Sequence, residues 1–322
     1  MKNLFIHIGW PKTGSTALQE FCHANREALS AAGLAYYACF GSACGSIVRA
    51  LRKAEPLDEA RRRFLGWAEQ QQASNVLISS EGFSGVAPDR LEAFFDPAAW
   101  ASITVIGYLR PQEAFFEGWY KQQVKWGSKA SVASYLAPNS TIWRQGDYRP
   151  ALDAWAEWCA RHGHALRLRL YDRRQMVGGD LGRDFAAALG LPDLPIAPEA
   201  RNVSPSAALI GLYLRLPPIE KLQQINRRMV ASGHPAATGS GDLFTPELIA
   251  QIRDTYAEPN EAIRSVWFPT RPTLFDLPAA PRPAPADPDG LAGLLLKTIT
   301  KMRGPEVAEA ARIALDRPAA GP

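Results

Sequence analysis

The stretch Leu4-Phe-Ile-His-Ile8, followed by Gly9-Trp-Pro-Lys-Thr-Gly-Ser-Thr16, decides the fold. The apolar run reads as a buried strand, and the sequence from Ser15 to about Ala32 carries helical periodicity. Between them lies a short loop bounded by Gly9 and Gly14. A strand, a tight loop and a helix N-terminus together make an anion cradle, because backbone N–H groups converge there and the helix dipole adds a partial positive charge. Lys12 sits inside the loop, and Thr13, Ser15 and Thr16 add hydroxyl donors. The spacing predicts a phosphate or sulfate site.

The loop departs from the nucleoside-triphosphate pattern GxxxxGK[ST], in which Lys follows the second Gly and a metal-binding hydroxyl follows the Lys. Here Lys12 precedes Gly14 by two residues and Ser15 follows it. That displacement argues against the usual cradling of β- and γ-phosphates.

Working outward, strand-like runs fall at 4–8, 75–79, 102–109 and 166–171, with a weaker one at 34–40. Helical patterns fall at 15–32, 57–73, 111–127, 149–162, 180–189, 206–230 and 245–267, with Pro217-Pro218 breaking the sixth. The alternation predicts an α/β fold: a three-layer sandwich with a mainly parallel central sheet and a P-loop-like anion-binding loop. The expected division is an α/β domain over 1–277, a Pro/Ala-rich linker over 278–290 and a helical tail over 291–322. Leu291, Leu294, Leu295, Ile299 and Met302 stand at helical spacing in the tail. They suit packing on the same protein, with a partner or peripheral membrane contact as the alternatives.

In an open α/β sheet, ligands bind at the carboxyl ends of the strands. The run Asn75-Val-Leu-Ile-Ser-Ser-Glu81 delivers a carboxylate there. The run Ile103-Thr-Val-Ile-Gly-Tyr-Leu-Arg110-Pro-Gln-Glu113 delivers an Arg, whose forked guanidinium suits a phosphate. The string PKTGST resembles the 5′-phosphosulfate loop of sulfotransferases that use 3′-phosphoadenosine 5′-phosphosulfate (PAPS). Arg110, the following Pro111 and the helix Ala114-Phe-Phe-Glu-Gly-Trp-Tyr-Lys-Gln-Gln-Val124 resemble the 3′-phosphate region of the same family. The likeness is nearest to bacterial and carbohydrate-type members and spans about residues 1–276, with weaker echoes through Arg201-Asn-Val-Ser204 and from Tyr256 to Phe275. One position departs: where the family has Ser eight residues after the Arg, this chain has Gly118. The family's glycine-rich RKG-type cofactor segment is not evident either.

The resemblance implies transfer of a sulfuryl group from PAPS to a hydroxyl of a carbohydrate or glycoconjugate, by in-line attack. It places Pro11, Lys12, Thr13, Gly14, Ser15, Thr16 and Arg110 on the nucleotide, with Lys12 stabilising the leaving-group oxygen. Glu81 is the preferred general base, with His7 second, since a strand His is more often a hydrogen-bonded core residue. No metal is expected, because Lys and backbone donors take the place of Mg²⁺. The aromatic and basic region 119–149, with Lys121, Lys125, Trp126, Arg144 and Arg149, is the expected acceptor cleft, although the same spacing describes a helix packed on the sheet. The run Arg61-Arg-Arg63 reads as a solvated helix face.

Composition sets outer bounds. Of 322 residues, 47% are hydrophobic and 21% charged, as in an ordinary globular protein, and a net charge of +4 is too small for a nucleic-acid protein. No apolar run reaches the roughly 18 residues of a membrane span, and no signal peptide is read, so a cytoplasmic location is expected. Cys22, Cys39, Cys44 and Cys159 form no CxxC pair and read as reduced thiols. Two other readings stay open: a P-loop nucleotide or small-molecule kinase, which a metal requirement would favour, and a catalytically silent nucleotide-binding homologue.

Overall fold

Five strands form one sheet: β1 (Lys2–Ile8), β2 (Leu34–Tyr37), β3 (Asn75–Ser80), β4 (Trp100–Leu109) and β5 (Ala165–Leu170). The computed structural model describes residues 1–38, 45–53, 57–191, 194, 204–239, 243–277 and 288–317. All strand pairs are parallel, in the order β2-β3-β1-β4-β5. The fold is α/β. Residues 4–8 of β1 are buried on both faces, which explains why the run reads as continuously apolar rather than alternating.

The register sorts the side chains into two faces. Leu77 stands beside Phe5 on one flank and Tyr36 on the other, and His7 beside Ser79 and Ile106. On that face Phe5, Leu77, Tyr36, Ile106 and Tyr108 pack against Leu18, Phe21 and Leu29 and against Leu181 and Phe185. The opposite face carries Tyr37, whose ring meets Phe64 and Trp67 of the helix Asp58–Gln70 at 5.0 and 4.9 Å. Helices thus cover both faces.

Chain order fixes where the faces exchange. The connection after β1 runs outward to β2, whereas that after β3 crosses β1 to reach β4. With right-handed crossovers the two connections lie on opposite faces, so their carboxyl ends flank a topological switch point.

The expected helix over 15–32 is two helices, Ser15–Ala24 and Arg26–Ala31. Asn25 divides them: its side-chain amide and its backbone N–H both donate to the Phe21 carbonyl, at 2.9 and 3.0 Å. Pro217-Pro218 likewise separates Ala207–Arg215 from Leu222–Ala231, and 245–267 divides into Pro246–Thr255 and Ala257–Trp267. Helices Gly45–Lys53 and Pro88–Phe95 were not expected. Each is short, and the second opens on Pro88, which suits a first helical turn.

The chain divides into two compact units that interleave along the sequence. The first comprises Met1–Arg110, Tyr148–Ala200 and Glu261–Phe275, and holds the sheet. The second comprises Pro111–Asp147, Arg201–Asn260 and Asp276–Pro322. Helices Pro288–Arg303 and Pro305–Asp316 belong to it, and Leu291, Leu295 and Ile299 are fully buried beside Leu209, Tyr213, Ile225 and Met229. The apolar stripe of the tail is therefore occupied by its own chain. Within the same unit, the Gln112 and Asn260 amides exchange two hydrogen bonds at 2.8 and 3.0 Å.

The expected linker lies, over 278–287, outside the described residues, as do Arg201-Asn-Val203, Cys39 and Cys44. Cys22 and Cys159 are buried free thiols, and burial pushes Cys159 up to about 12. Among the described residues, no helix is long and apolar enough to cross a membrane.

Candidate anion-binding site

Three strand ends of the first unit meet here: the loop after β1, Glu81 after β3 and Arg110 after β4. Gly9 N–H continues the ladder to the Ser80 carbonyl at 3.1 Å, holding the start of the loop beside Glu81. A Cβ on Gly9 would stand 2.2 Å from Ser15 Oγ and 3.0 Å from Glu81 Cα, so the approach requires glycine. The Ser84 hydroxyl lies 2.9 Å from the Gly9 carbonyl and 3.1 Å from that of Glu81, tying the two strand ends together.

Lys12 takes a left-handed backbone, φ 65°, which a residue with a Cβ adopts only when its surroundings hold it there. Two groups do so. Arg110 Nη1 donates to the Lys12 carbonyl at 2.7 Å, and the Lys12 backbone N–H donates to the Glu81 carboxylate. Burial raises the Glu81 carboxyl above the ordinary carboxylate range, while the Lys12 ammonium and that N–H pull it partway back. The carboxylate is thus held against the loop by the residue that carries the loop's only side-chain cation.

Gly14 caps the helix Ser15–Ala24 at φ 79°, and that helix receives no side-chain cap. Its first amides are the orphan donors of a helix start. The hydroxyls are arranged differently from the sequence expectation. Thr13, fully buried, donates its hydroxyl to the Trp10 carbonyl at 2.6 Å, and Ser15 Oγ approaches the same oxygen at 3.5 Å. Thr16 is exposed. What the loop presents to an anion is therefore backbone N–H, the Lys12 ammonium and Thr16.

Two further residues complete the wall. A Cβ on Gly14 would meet Leu181 at 2.6 Å and the Tyr171 ring at 2.8 Å. The Arg110 guanidinium lies over the same Tyr171 ring, 5.4 Å from its centroid. The Tyr148 hydroxyl donates to the Arg110 carbonyl at 2.8 Å, and its ring stands edge-on to Trp10 at 5.8 Å. Sequence reasoning missed Tyr171 and Tyr148. Tyr171 follows β5, so its strand-end position was a usable signal; Tyr148 carried none.

His7 lies apart from this group. Its ring is fully buried between the sheet and Phe185, with Nδ1 2.7 Å from Ser79 Oγ. Burial lowers its pKa from 6.5 to about 3, so it stays neutral. A second buried polar group braces the same layer: Asp184 Oδ2 accepts from Tyr108 OH at 2.8 Å and Arg169 Nε at 3.0 Å, and Oδ1 accepts from Val177 N–H at 3.1 Å and from Arg169 Nη2. That network anchors the helix Leu181–Ala188, whose first residue presses on Gly14.

In the second unit, the expected acceptor region is mixed: Tyr120, Lys121, Val124, Leu136 and Ile142 are buried, whereas Trp126, Lys129 and Arg144 are exposed. Lys121 is 2% exposed and pairs with Glu117 at 2.6 Å. Gly118 lies within the helix Gln112–Lys125. Among the described residues, no group of three or more His, Cys, Asp or Glu side chains is placed to hold a metal ion.

No family model matches the chain. It is similar to an uncharacterized protein of Archaeoglobus fulgidus, 24% identical over 205 residues, which cover 61% of this chain and 54% of that protein. The chain spans about half the length of that curated relative.

Proposed function

We propose that the chain is a sulfotransferase that binds PAPS at the loop Gly9–Thr16 and transfers a sulfuryl group to a hydroxyl of a carbohydrate or glycoconjugate. One observation carries the reading: Arg110 and Glu81, from two different strand ends, both fasten the backbone of Lys12. A nucleotide carrying phosphate at two ends needs a cradle with a second cation beside it, and the loop with Arg110 supplies that pair. The fit is chemical as well: uncapped helix amides, the Lys12 ammonium and the Arg110 guanidinium are an anion-selective donor set.

Bound there, PAPS supplies an activated sulfuryl group. The amides at the start of the helix Ser15–Ala24 and the Lys12 ammonium hold the 5′ end, and Lys12 neutralises charge as it builds on the bridging oxygen. Fixed donors of this kind are worth on the order of 10²–10³ in rate each. Arg110 holds the 3′-phosphate, with Tyr171 stacked beneath its guanidinium. Glu81 takes the proton from the acceptor hydroxyl. Its raised pKa suits that task, because a base titrating nearer neutrality accepts a proton more readily. His7, sealed in the core, is left a structural part.

The test is calorimetric titration of the full chain with 3′-phosphoadenosine 5′-phosphate, beside ATP with and without Mg²⁺. Metal-independent binding of the bisphosphate, with ATP much weaker, supports the reading. Preference for ATP with Mg²⁺ overturns it in favour of a kinase.

A further inference from the structure

The helix Gln112–Lys125 of the second unit ends in part of the stretch expected at the acceptor cleft, and none of the steps described above draws on its residues. Its two carboxylates are already engaged. Arg253 Nε and Nη2 reach Glu113 Oε1 at 3.0 and 2.9 Å, and the buried Lys121 holds Glu117. The cations that follow have no such partner among the described residues. Lys125 is half-buried with Lys121 as its charged neighbour, and both burial and that like charge lower its pKa. Lys129 donates to the neutral Tyr213 carbonyl at 2.5 Å, which leaves its charge uncompensated.

Between them stands Trp126, 55% exposed and edge-on to Trp119 at 5.9 Å. The helix end holds its main chain. The Trp126 N–H is shared by the Gln122 and Gln123 carbonyls at 3.1 and 3.0 Å. Gly127, at φ 102°, turns the chain away, and its N–H and that of Ser128 return to Val124 and Gln123 at 2.9 and 3.0 Å. A lone exposed indole needs no explanation, and a last-turn lysine is ordinary complement to the helix dipole. Neither accounts for an exposed indole whose sequence neighbours on both sides are lysines without a carboxylate partner among the described residues, one of them drawn partly out of water.

We infer that Trp126, Lys125 and Lys129 form a binding surface for an acidic polysaccharide. An indole face stacks against the C–H face of a sugar ring, and ammonium groups on either side pair with its carboxylate or sulfate substituents. An anion beside Lys125 also relieves the repulsion from Lys121. Charge complementarity favours this occupant over others: two ammonium groups are few for a phosphodiester polymer, and a single indole is too little apolar surface for a bilayer. The inference stands on this surface alone and does not depend on the sulfuryl-transfer reading.

The test uses the full chain with four probes, dextran sulfate, polygalacturonate, uncharged dextran and single-stranded DNA, followed by affinity electrophoresis at low and moderate salt. The wild type binds both acidic polymers at least tenfold more tightly than dextran. Trp126→Ala and Lys125→Gln each weaken that binding about tenfold, while Arg62→Gln, on the exposed face of the helix Asp58–Gln70, leaves it unchanged. Circular dichroism confirms folding, and Trp126→Ala alone suffices if Lys125→Gln is unstable. Four outcomes overturn the proposal: no binding of either acidic polymer, equal binding of dextran, an equal loss in Arg62→Gln, or tighter Trp126-dependent binding of single-stranded DNA. Titration with 3′-phosphoadenosine 5′-phosphate is unchanged in Trp126→Ala, so failure here and failure of the nucleotide site are separate results.

Discussion

Arg110 Nη1 donates to the main-chain carbonyl of Lys12, 98 positions earlier, at 2.7 Å. The guanidinium that we propose for a ligand phosphate also holds the loop in its left-handed turn at Lys12. On that reading, ligand affinity and loop geometry are linked through one side chain. A hydrogen bond from a charged donor is worth about 1.5–3 kcal/mol, or about 10- to 150-fold in affinity. Arg110→Ala is expected to weaken 3′-phosphoadenosine 5′-phosphate by at least that factor. Arg110→Lys should recover less than half of the loss in free energy, because a single ammonium cannot serve the Lys12 carbonyl and a phosphate in the same forked manner. Calorimetry on the three proteins decides this, and full recovery in the Lys variant would show that only charge matters.

Glu81→Gln separates binding from turnover. Loss of a positioned base costs roughly 10²–10⁴ in rate. The substitution also removes a carboxylate that takes the Lys12 N–H and faces any incoming anion, so affinity for 3′-phosphoadenosine 5′-phosphate should hold or rise. In the wild type, a nucleotide arriving beside Glu81 raises its proton affinity further. Titrations in buffers of different ionisation enthalpy should therefore register proton uptake in the wild type and none in the variant. Weaker binding in Glu81→Gln would remove the base from the site we assign to it.

Gly14→Ala tests the helix start. The backbone there has φ 79°, and a Cβ would meet Leu181 at 2.6 Å and Tyr171 at 2.8 Å. The left-handed conformation alone costs about 1–2 kcal/mol for a residue with a Cβ. Gly14→Ala is expected to lower the melting temperature by several degrees and to abolish nucleotide binding. The added substitution Leu181→Ala relieves that one contact but neither the Tyr171 contact nor the backbone cost, so binding should stay lost.

His7 gives a pH dependence with a definite sign. Its folded pKa is about 3 against an ordinary 6.5, so the unfolded chain binds more protons between those values. Stability therefore rises with pH across that window and falls as pH drops below about 6.5, by up to about 1.4 kcal/mol per unit. Chemical denaturation of wild type and His7→Gln at pH 7 and pH 4.5 should show a difference between the two that changes by about 2.5 kcal/mol. A difference that stays constant would mean that His7 does not titrate on unfolding.

Asp184→Asn tests the brace beneath the loop. The carboxylate is 1% exposed and accepts four hydrogen bonds, but Arg169 reaches water, so we expect a loss of about 2 kcal/mol rather than the larger figure for a sealed pair. Because Leu181 leads the same helix into Gly14, nucleotide affinity should fall with stability, which calorimetry of the folded variant would register.

Much of the frame was legible because strand and helix periods are local. Apolar runs marked β1, β3, β4 and β5 to within two residues at either end, and the helix Arg149–His162 matches its expected bounds. Misses came where one side chain overrides the period, as at Asn25, or where Pro opens a helix, as at Pro88. The meeting of Lys12, Glu81 and Arg110 followed from the rule that strand ends converge. What each hydroxyl does was not legible: Thr13 and Ser15 read as ligand donors, yet both turn to the Trp10 carbonyl, a contact set by loop curvature rather than by residue type. The burial of Lys121 depends on Glu117 one turn earlier and on the Gly239 carbonyl, 118 residues later at 3.1 Å, which no local pattern announces.

The strand order has a consequence for synthesis. β1 is made before the other four strands, yet its neighbours are β3 and β4, so neither of its edges is paired until residue 80 has emerged and one stays open until residue 109. At roughly 5–20 residues per second, those waits are on the order of ten seconds. For that time the apolar run Leu4–Ile8 offers an open edge for mispairing with a neighbouring chain. A nascent-chain holdase that covers residues 1–10 should therefore raise the soluble yield more than one acting on any of the later strands.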